Sequence, residues 1–196
     1  MDWLSREKMT REWRWGIPLI IGIVALDQLT KAWVLATPAL NAMNCLQDNV
    51  LCGKVEMSSV LDFSMTWNRG VSFGVMQAEG LARWGLFVLI GAIALGFTLW
   101  LFRAERRMTA LALAMVVGGA VGNLIDRALF GAVVDFIDFS GPWFGLEIGG
   151  WKVGFPWIFN VADASISLGA AALLLEVGII KKIPDLDKMI DTSFIK

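Results

Sequence analysis

At 196 residues the chain has the length of one domain, and at 57% apolar with a mean hydropathy of +0.63 it is more hydrophobic than water-soluble domains, which average ~45–50% apolar. Its net charge of −1 offers nucleic acid no electrostatic handle, and the lack of any histidine removes histidine-dependent triads and the commonest metal ligand. Two cysteines, Cys45 and Cys52, cannot build a zinc site alone.

Residues 1–15 are polar and basic, with Arg6, Lys8, Arg11 and Arg14, and Trp3, Trp13 and Trp15 suit a headgroup-level belt. Gly16 to Ala36 is long and apolar enough to span ~30 Å of hydrocarbon. Asp27 and Lys31 interrupt its far half and no small-residue cleavage site follows, which favours a retained span over a signal peptide. Residues 37–83 are mixed and polar. Within them Met57, Ser59, Leu61, Phe63, Met65 and Trp67 alternate with more polar residues, which predicts a strand with one apolar face. Asn68-Arg69-Gly70 reads as a turn, after which Val71, Phe73 and Val75 resume the alternation. Such a strand beside a membrane offers its apolar face to lipid or to an apolar substrate.

Trp84 to Phe102 is a second span without charge, closed by Arg103, Arg106 and Arg107 with Glu105 among them. Met108 to Ile125 is a third, rich in glycine and alanine, which favours close helix packing. Residues 126–157 read as a loop carrying Phe136, Phe139, Trp143, Phe144, Trp151, Phe155 and Trp157. Phe159 to Ile180 is a fourth span, followed by Lys181 and Lys182. The expectation is one integral-membrane domain over residues 1–196. It is a membrane α-helical, four-transmembrane-helix bundle with spans about 16–36, 84–102, 108–125 and 159–180. Four spans put both termini on one side. Eleven Lys/Arg there against five opposite predict that side to be cytoplasmic. Asp135, Asp163, Asn123, Asn160 and Asn68 then all lie near the outer surface.

Charged residues at the rim of an apolar run are costly unless paired or used. Asn123, Asp126 and Arg127, at i, i+3 and i+4, share a helix face; a capped helix end and a set of groups orienting a catalytic carboxylate are both open readings. Asn160 and Asp163 at i, i+3 suit an N-terminal cap, yet the apolar stretch before them puts Asp163 at membrane depth. Asp135 lies among Val133, Val134, Phe136 and Ile137, and a strand would turn it away from Asp138. Two buried carboxylates brought together share a proton and supply one base and one acid. Asp27 and Lys31 at i, i+4 form either an intrahelical ion pair or part of the site. A disulfide between Cys45 and Cys52 is left open. A small transporter or proton-coupled channel using Asp27, Asp126, Asp135 and Asp163 is the alternative from another class, and a non-enzymatic scaffold a third. The clustering of these carboxylates near one surface and the lack of a repeat argue against the transporter.

Five blocks together resemble the bacterial lipoprotein signal peptidases, the signal peptidase II family. They are Asp27-Gln28-Leu29-Thr30-Lys31, Trp67 to Gly74, Gly118 to Arg127, Val133-Val134-Asp135-Phe136, and Phe159 to Ala164. The resemblance covers nearly the whole chain. It implies a four-helix membrane bundle with an extracytoplasmic β-cradle, here about 55–77 plus the loop 128–157. It also implies a multi-pass protein of the bacterial inner membrane; no cofactor or metal is expected, and a monomer is expected because the bundle needs no partner. By resemblance Asp135 and Asp163 are a catalytic dyad that flanks the scissile peptide and holds one water. Asp27, Lys31, Asn68, Gly119, Asn123, Asp126, Arg127, Asn160 and Ala162 match supporting or substrate-binding positions. Asn160 and Arg127 are expected to hold geometry and Asn68 to contact the substrate backbone. Asp126 is expected to hold the following loop rather than act as an acid. The implied reaction removes the signal peptide of a prolipoprotein before a cysteine carrying diacylglycerol. Val71-Ser72 departs from the two alanines common in the family, and the Cys45/Cys52 segment looks like an insertion.

Overall fold

The computed structural model describes residues 11–40, 42–45, 51–70, 81–140, 147–155 and 157–182. The first helix, α1, runs Trp13–Ala36, beginning one turn earlier than the sequence suggests. It stops because Thr37 precedes Pro38, and a residue before proline is pushed out of the helical region; Thr37 is accordingly extended. Helix α2 spans Leu81–Leu101 and presents Val88, Leu89, Ile93 and Leu95 outward, as a lipid-facing helix does. A short connection leads to α3, Arg107–Phe130. Among the described residues, three helices are long and apolar enough to cross a membrane: Trp13–Ala36, Arg83–Leu101 and Arg107–Phe130. The last helix, α4, spans Val161–Lys182 and is not among them.

α3 is the most enclosed of these helices and packs against the other three. Its glycines explain why. A side chain at Gly119 would collide with the Ala162 carbonyl and Ile166 of α4, and one at Gly122 would collide with the Asp27 carboxylate of α1. Small residues let backbones approach where no hydrophobic driving force distinguishes helix from lipid. The helix does not end at Ile125, as its apolar run suggests, but continues to Phe130, so Asp126 and Arg127 lie within its last two turns. Gly131, at φ +73°, then caps it by donating to the Arg127 carbonyl at 3.1 Å.

The strand expected over 57–67 begins only at Asp62, and a turn joins it to a further strand that ends at Glu56. β1, Gly53–Glu56, and β2, Asp62–Asn68, pair antiparallel around a turn at Ser58, whose hydroxyl accepts from the Val60 and Leu61 amides. The expected loop 126–157 likewise holds structure. β3, Val133–Asp138, pairs with β2; β4, Glu147–Ile148, and β5, Trp151–Lys152, form a hairpin; β6, Ile158–Phe159, pairs with β3. Phe159 is therefore strand rather than the start of the last helix. The main sheet has the order β1-β2-β3-β6. Residues 71, 73 and 75, part of the expected cradle, lie outside the described residues.

Phe63 pairs with Ile137 and Thr66 with Asp135, so Ser64 and Met65 stand against Phe136 alone. This β-bulge swaps which residues of β2 face inward: Asp62 and Ser64 are buried before it, Met65 and Trp67 after it. Met65 and Trp67 pack with Val34, Leu40, Ala42, Cys45, Val134 and Phe136 into one core under the sheet. Met65 and Trp67, on the apolar side of β2, are consequently spent inside the fold. Cys45 and Cys52 form a disulfide, with Cα atoms 5.5 Å apart. It ties this segment to the same core, where the Trp67 indole donates to the Ala42 carbonyl at 2.8 Å.

Candidate active site

β6 delivers the chain directly into α4, and Asn160 is the joint. Its side-chain oxygen accepts from the Asp163 amide at 2.9 Å, while the Asp163 carboxylate accepts from the Asn160 amide at 3.4 Å. This is a capping box, so the modest structural reading of these two residues holds. It does not exhaust them. The Asn160 side-chain amide also donates to the Asp135 carboxylate at 2.7 Å, to the Val134 carbonyl at 3.2 Å and to Asn123 at 3.1 Å. The other oxygen of Asp163 accepts from the Asn123 amide at 2.8 Å. One asparagine thus touches both Asp135 and Asp163.

Asp135 reaches this point from β3. Its pairing with Thr66, and the pairing of Asn68 with Val133, place Asp135 and Asn68 diagonally on one face of the sheet. The Asn68 amide donates to Asp135 at 3.0 Å, and its oxygen accepts from the Gly70 amide at 3.0 Å. Both ends of Asn68 are therefore engaged within the protein, where the sequence suggested a contact to substrate. Burial, reinforced by the nearby Asp163 carboxylate, pushes the Asp135 carboxyl well above the ordinary value, against the opposing hydrogen bonds from Asn68 and Asn160. Asp138 behaves oppositely. Burial would raise it too, but hydrogen bonds from Ser140 and Ser64 and the charge of Lys54 outweigh that and hold it below the usual range.

A second group lies against the first. Lys31 donates to Asp27 at 2.8 Å, to Asp126 at 2.9 Å and to the Asn123 oxygen at 3.1 Å, all in the interior. The intrahelical pair expected at i, i+4 exists, and it extends into the site through Asn123. Asp126 accepts from the Val134 amide at 3.1 Å, one residue before Asp135, so it grips the strand that carries that carboxylate. Asp27 accepts from the Ala162 amide at 3.0 Å, one residue before Asp163. Gly119 gives Ala162 the room to sit there. Arg127 donates to the Gly70 carbonyl at 2.7 Å and interacts electrostatically with Asp135, Asp163 and Asp126.

All eleven residues singled out from the sequence meet in this region. The structure adds Gln28, whose amide donates to Asp27, to the Gly122 carbonyl and to Asp126 at 3.1–3.2 Å. Its signal was available: a polar side chain beside Asp27 within an apolar span. Among the described residues, no three potential metal ligands of the Cys, Asp or Glu type converge. Two carboxyls are thus held by neutral amides, and one of them, Asp135, is favoured in its protonated form.

A family model described as signal peptidase (SPase) II matches residues 19–179. The chain is 39% identical to a lipoprotein signal peptidase of Methylorubrum extorquens (strain PA1), over 83% of this chain and 85% of that one. It is 36% identical to the lipoprotein signal peptidase of Caulobacter vibrioides, over 78% and 80%. Among solved structures it is similar to two bacterial membrane enzymes determined by the in meso method. One, at 1.9 Å resolution, has a TM-score of 0.61 and 26% identity over 83% of this chain and 91% of that one; the other, at 2.3 Å, has 0.60 and 27% over 92% and 91%.

Proposed function

The chain belongs to the signal peptidase II family, and on that premise we propose that it is an aspartic endopeptidase in which Asp135 and Asp163 activate one water between them. It is a bacterial membrane protease, and its substrate is a prolipoprotein from which it removes the signal peptide. The proposed cut falls before the cysteine that carries diacylglycerol. One carboxylate takes a proton from the water as its oxygen attacks the scissile carbonyl. The other carboxyl, protonated, gives its proton to the leaving amine. The pair ends the cycle holding one proton again. Asn160, which bonds to both, sets their mutual position, and Asn123 and Asn68 hold the remaining oxygens. Asp27, Lys31 and Asp126 fix the helix end and strand that carry the dyad.

The reading also makes α4 a fourth span. Its Leu168, Leu174 and Leu175 are exposed, as a lipid-facing helix requires, and Glu176 accepts a hydrogen bond from Thr109. Both termini then lie in the cytoplasm and the site near the outer surface of the inner membrane. No cofactor and no second copy is required.

The observation that carries the mechanism is the single Asn160 amide bonded to Asp135 while its own oxygen caps Asp163. The test is cleavage of a lipidated precursor by purified Asp135→Asn protein. Activity is expected to fall by about 10⁴-fold, the upper range for removing a general acid or base. Activity within tenfold of the wild type in a folded variant would overturn the assignment.

A further inference from the structure

The segment from Cys45 to Cys52 has no part in the catalytic reading, yet a disulfide joins its ends. Cys45 closes a short helical turn, Ala42–Cys45, and Cys52 immediately precedes β1. Both ends are fastened to β2. On one side the Ala42 carbonyl accepts from the Trp67 indole at 2.8 Å. On the other, the Cys52 amide donates to the Met65 carbonyl at 2.8 Å, and Gly53 pairs with Met65. A side chain at Gly53 would collide with the Ala39 carbonyl and the Leu40 backbone, so β1 lies hard against the chain that leaves α1. Ala42, Cys45, Met65 and Trp67 are all buried in the core that also holds Val134. The two fastened residues of β2 stand next to the site. Met65 lies in the bulge, where the ladder to β3 is locally disrupted. Beyond it Thr66 pairs with Asp135, Trp67 pairs with Val134, and the Asn68 amide donates to the Asp135 carboxylate at 3.0 Å. The linked segment therefore holds β2 at the point where the sheet holds it least.

We infer that the Cys45–Cys52 disulfide is a positioning element of the peptidase site: it holds the end of β2 so that Asn68 meets Asp135, and opening it slows turnover. The inference rests on the peptidase reading, because it concerns a carboxyl which that reading places at the reacting water. The proposed placement near the outer surface puts the bond in a compartment where disulfides persist. A dithiol opens it by exchange. One thiolate of the reagent attacks the sulfur of Cys52, the half-buried partner, and displaces Cys45. The second thiol then displaces Cys52 and closes the reagent into a cyclic disulfide. The reagent is oxidised, its two protons pass to the cysteines, and both end as thiols. The Asn68 bond is one of two that oppose the burial-driven rise of the Asp135 carboxyl, so loosening it raises that carboxyl further. The charged groups that bear on Asp135 are Asp163 of α4, Arg127 of α3 and Lys31 of α1, and all of them lie outside the linked segment.

The test is cleavage of a lipidated precursor by the purified full-length chain in detergent, before and after dithiothreitol. Alkylation followed by mass measurement counts the free thiols, with none expected before treatment and both cysteines after it. All rates are taken at a temperature where circular dichroism shows the protein folded. Reduction is expected to lower kcat about tenfold, to leave KM within about twofold, and to move the pH–rate profile to higher pH. Reoxidation should restore all three. Cys45→Ser/Cys52→Ser protein should start at the reduced level and ignore the dithiol. A lower thermal midpoint on reduction with kcat unchanged would overturn the inference and leave the bond a fastener alone. Unfolding on reduction would overturn it as well, and so would a loss confined to KM, a fall in kcat with an unmoved pH profile, or untreated protein that already takes up the alkylating reagent. Failure of the oxidised wild type to cleave any lipidated precursor would overturn the peptidase reading itself, and the inference with it.

Discussion

Two pairs of buried aspartates lie side by side in this molecule, and they are treated oppositely. Asp27 and Asp126 share a cation: Lys31 stands between them at 2.8 and 2.9 Å, and backbone amides of Ala162 and Val134 complete their shells. Asp135 and Asp163 have no cation within bonding distance among the described residues; their donors are the asparagines 68, 123 and 160 and one backbone amide. The pair that shares Lys31 holds helix to helix. The other pair is satisfied in its hydrogen bonds but touches no cation among the described residues, and burial raises the Asp135 carboxyl. The same residue type thus serves as a fastener or as a reactive group according to whether its neighbour is an ammonium or an amide.

The sharpest way to break this contrast is Lys31→Met. It leaves two buried carboxylates without a cation and is expected to cost about 3–5 kcal/mol, read as a lowered thermal midpoint in detergent. Asp135→Asn, in the uncompensated pair, should cost far less. Similar losses in the two variants would erase the distinction. Next comes Gly119→Ala. Its new methyl group meets the fixed Ala162 backbone, so about 1–3 kcal/mol of stability should be lost, together with activity, because α4 must shift with Asp163 on it.

The pH dependence follows from the raised Asp135 carboxyl. The folded state keeps its proton where an unfolded chain, with the ordinary value of 3.8, has already released it. Its contribution to stability is therefore full below 3.8 and declines as pH rises from there through the raised folded value. Asp135→Asn should flatten that stretch of the stability-versus-pH curve, and an unchanged slope would show that another group produces it. Smallest is Lys54→Gln in the sheet. Lys54 bonds Asp62 at 2.7 Å, but its side chain is 37% exposed, so solvent screening should hold the loss below about 1 kcal/mol by chemical denaturation.

Much of this arrangement is legible in the sequence. The apolar runs mark α1, α2 and α3 to within a few residues, except that α3 continues past Ile125. There Asp126 and Arg127 break the apolar composition without breaking the helix, since helical hydrogen bonds do not depend on polarity. The polar residues inside those runs are conspicuous because charge is expensive there. Less is legible in the cradle. Alternation over 57–67 conceals a turn at Ser58 and a bulge at Ser64–Met65, because a period of two does not show where a strand reverses or slips. Nor can alternation tell that Trp67 and Met65 are spent on a buried core.

The sequence by itself determined the helices and the chemical inventory, because helical hydrogen bonds close within four residues and the cost of a charge in an apolar run is local. The tertiary structure alone decided which aspartates pair with Lys31 and which with asparagines. That outcome depends on strand register, on the close approach at Gly119 and on the joint at Asn160, all contacts between segments far apart in the chain.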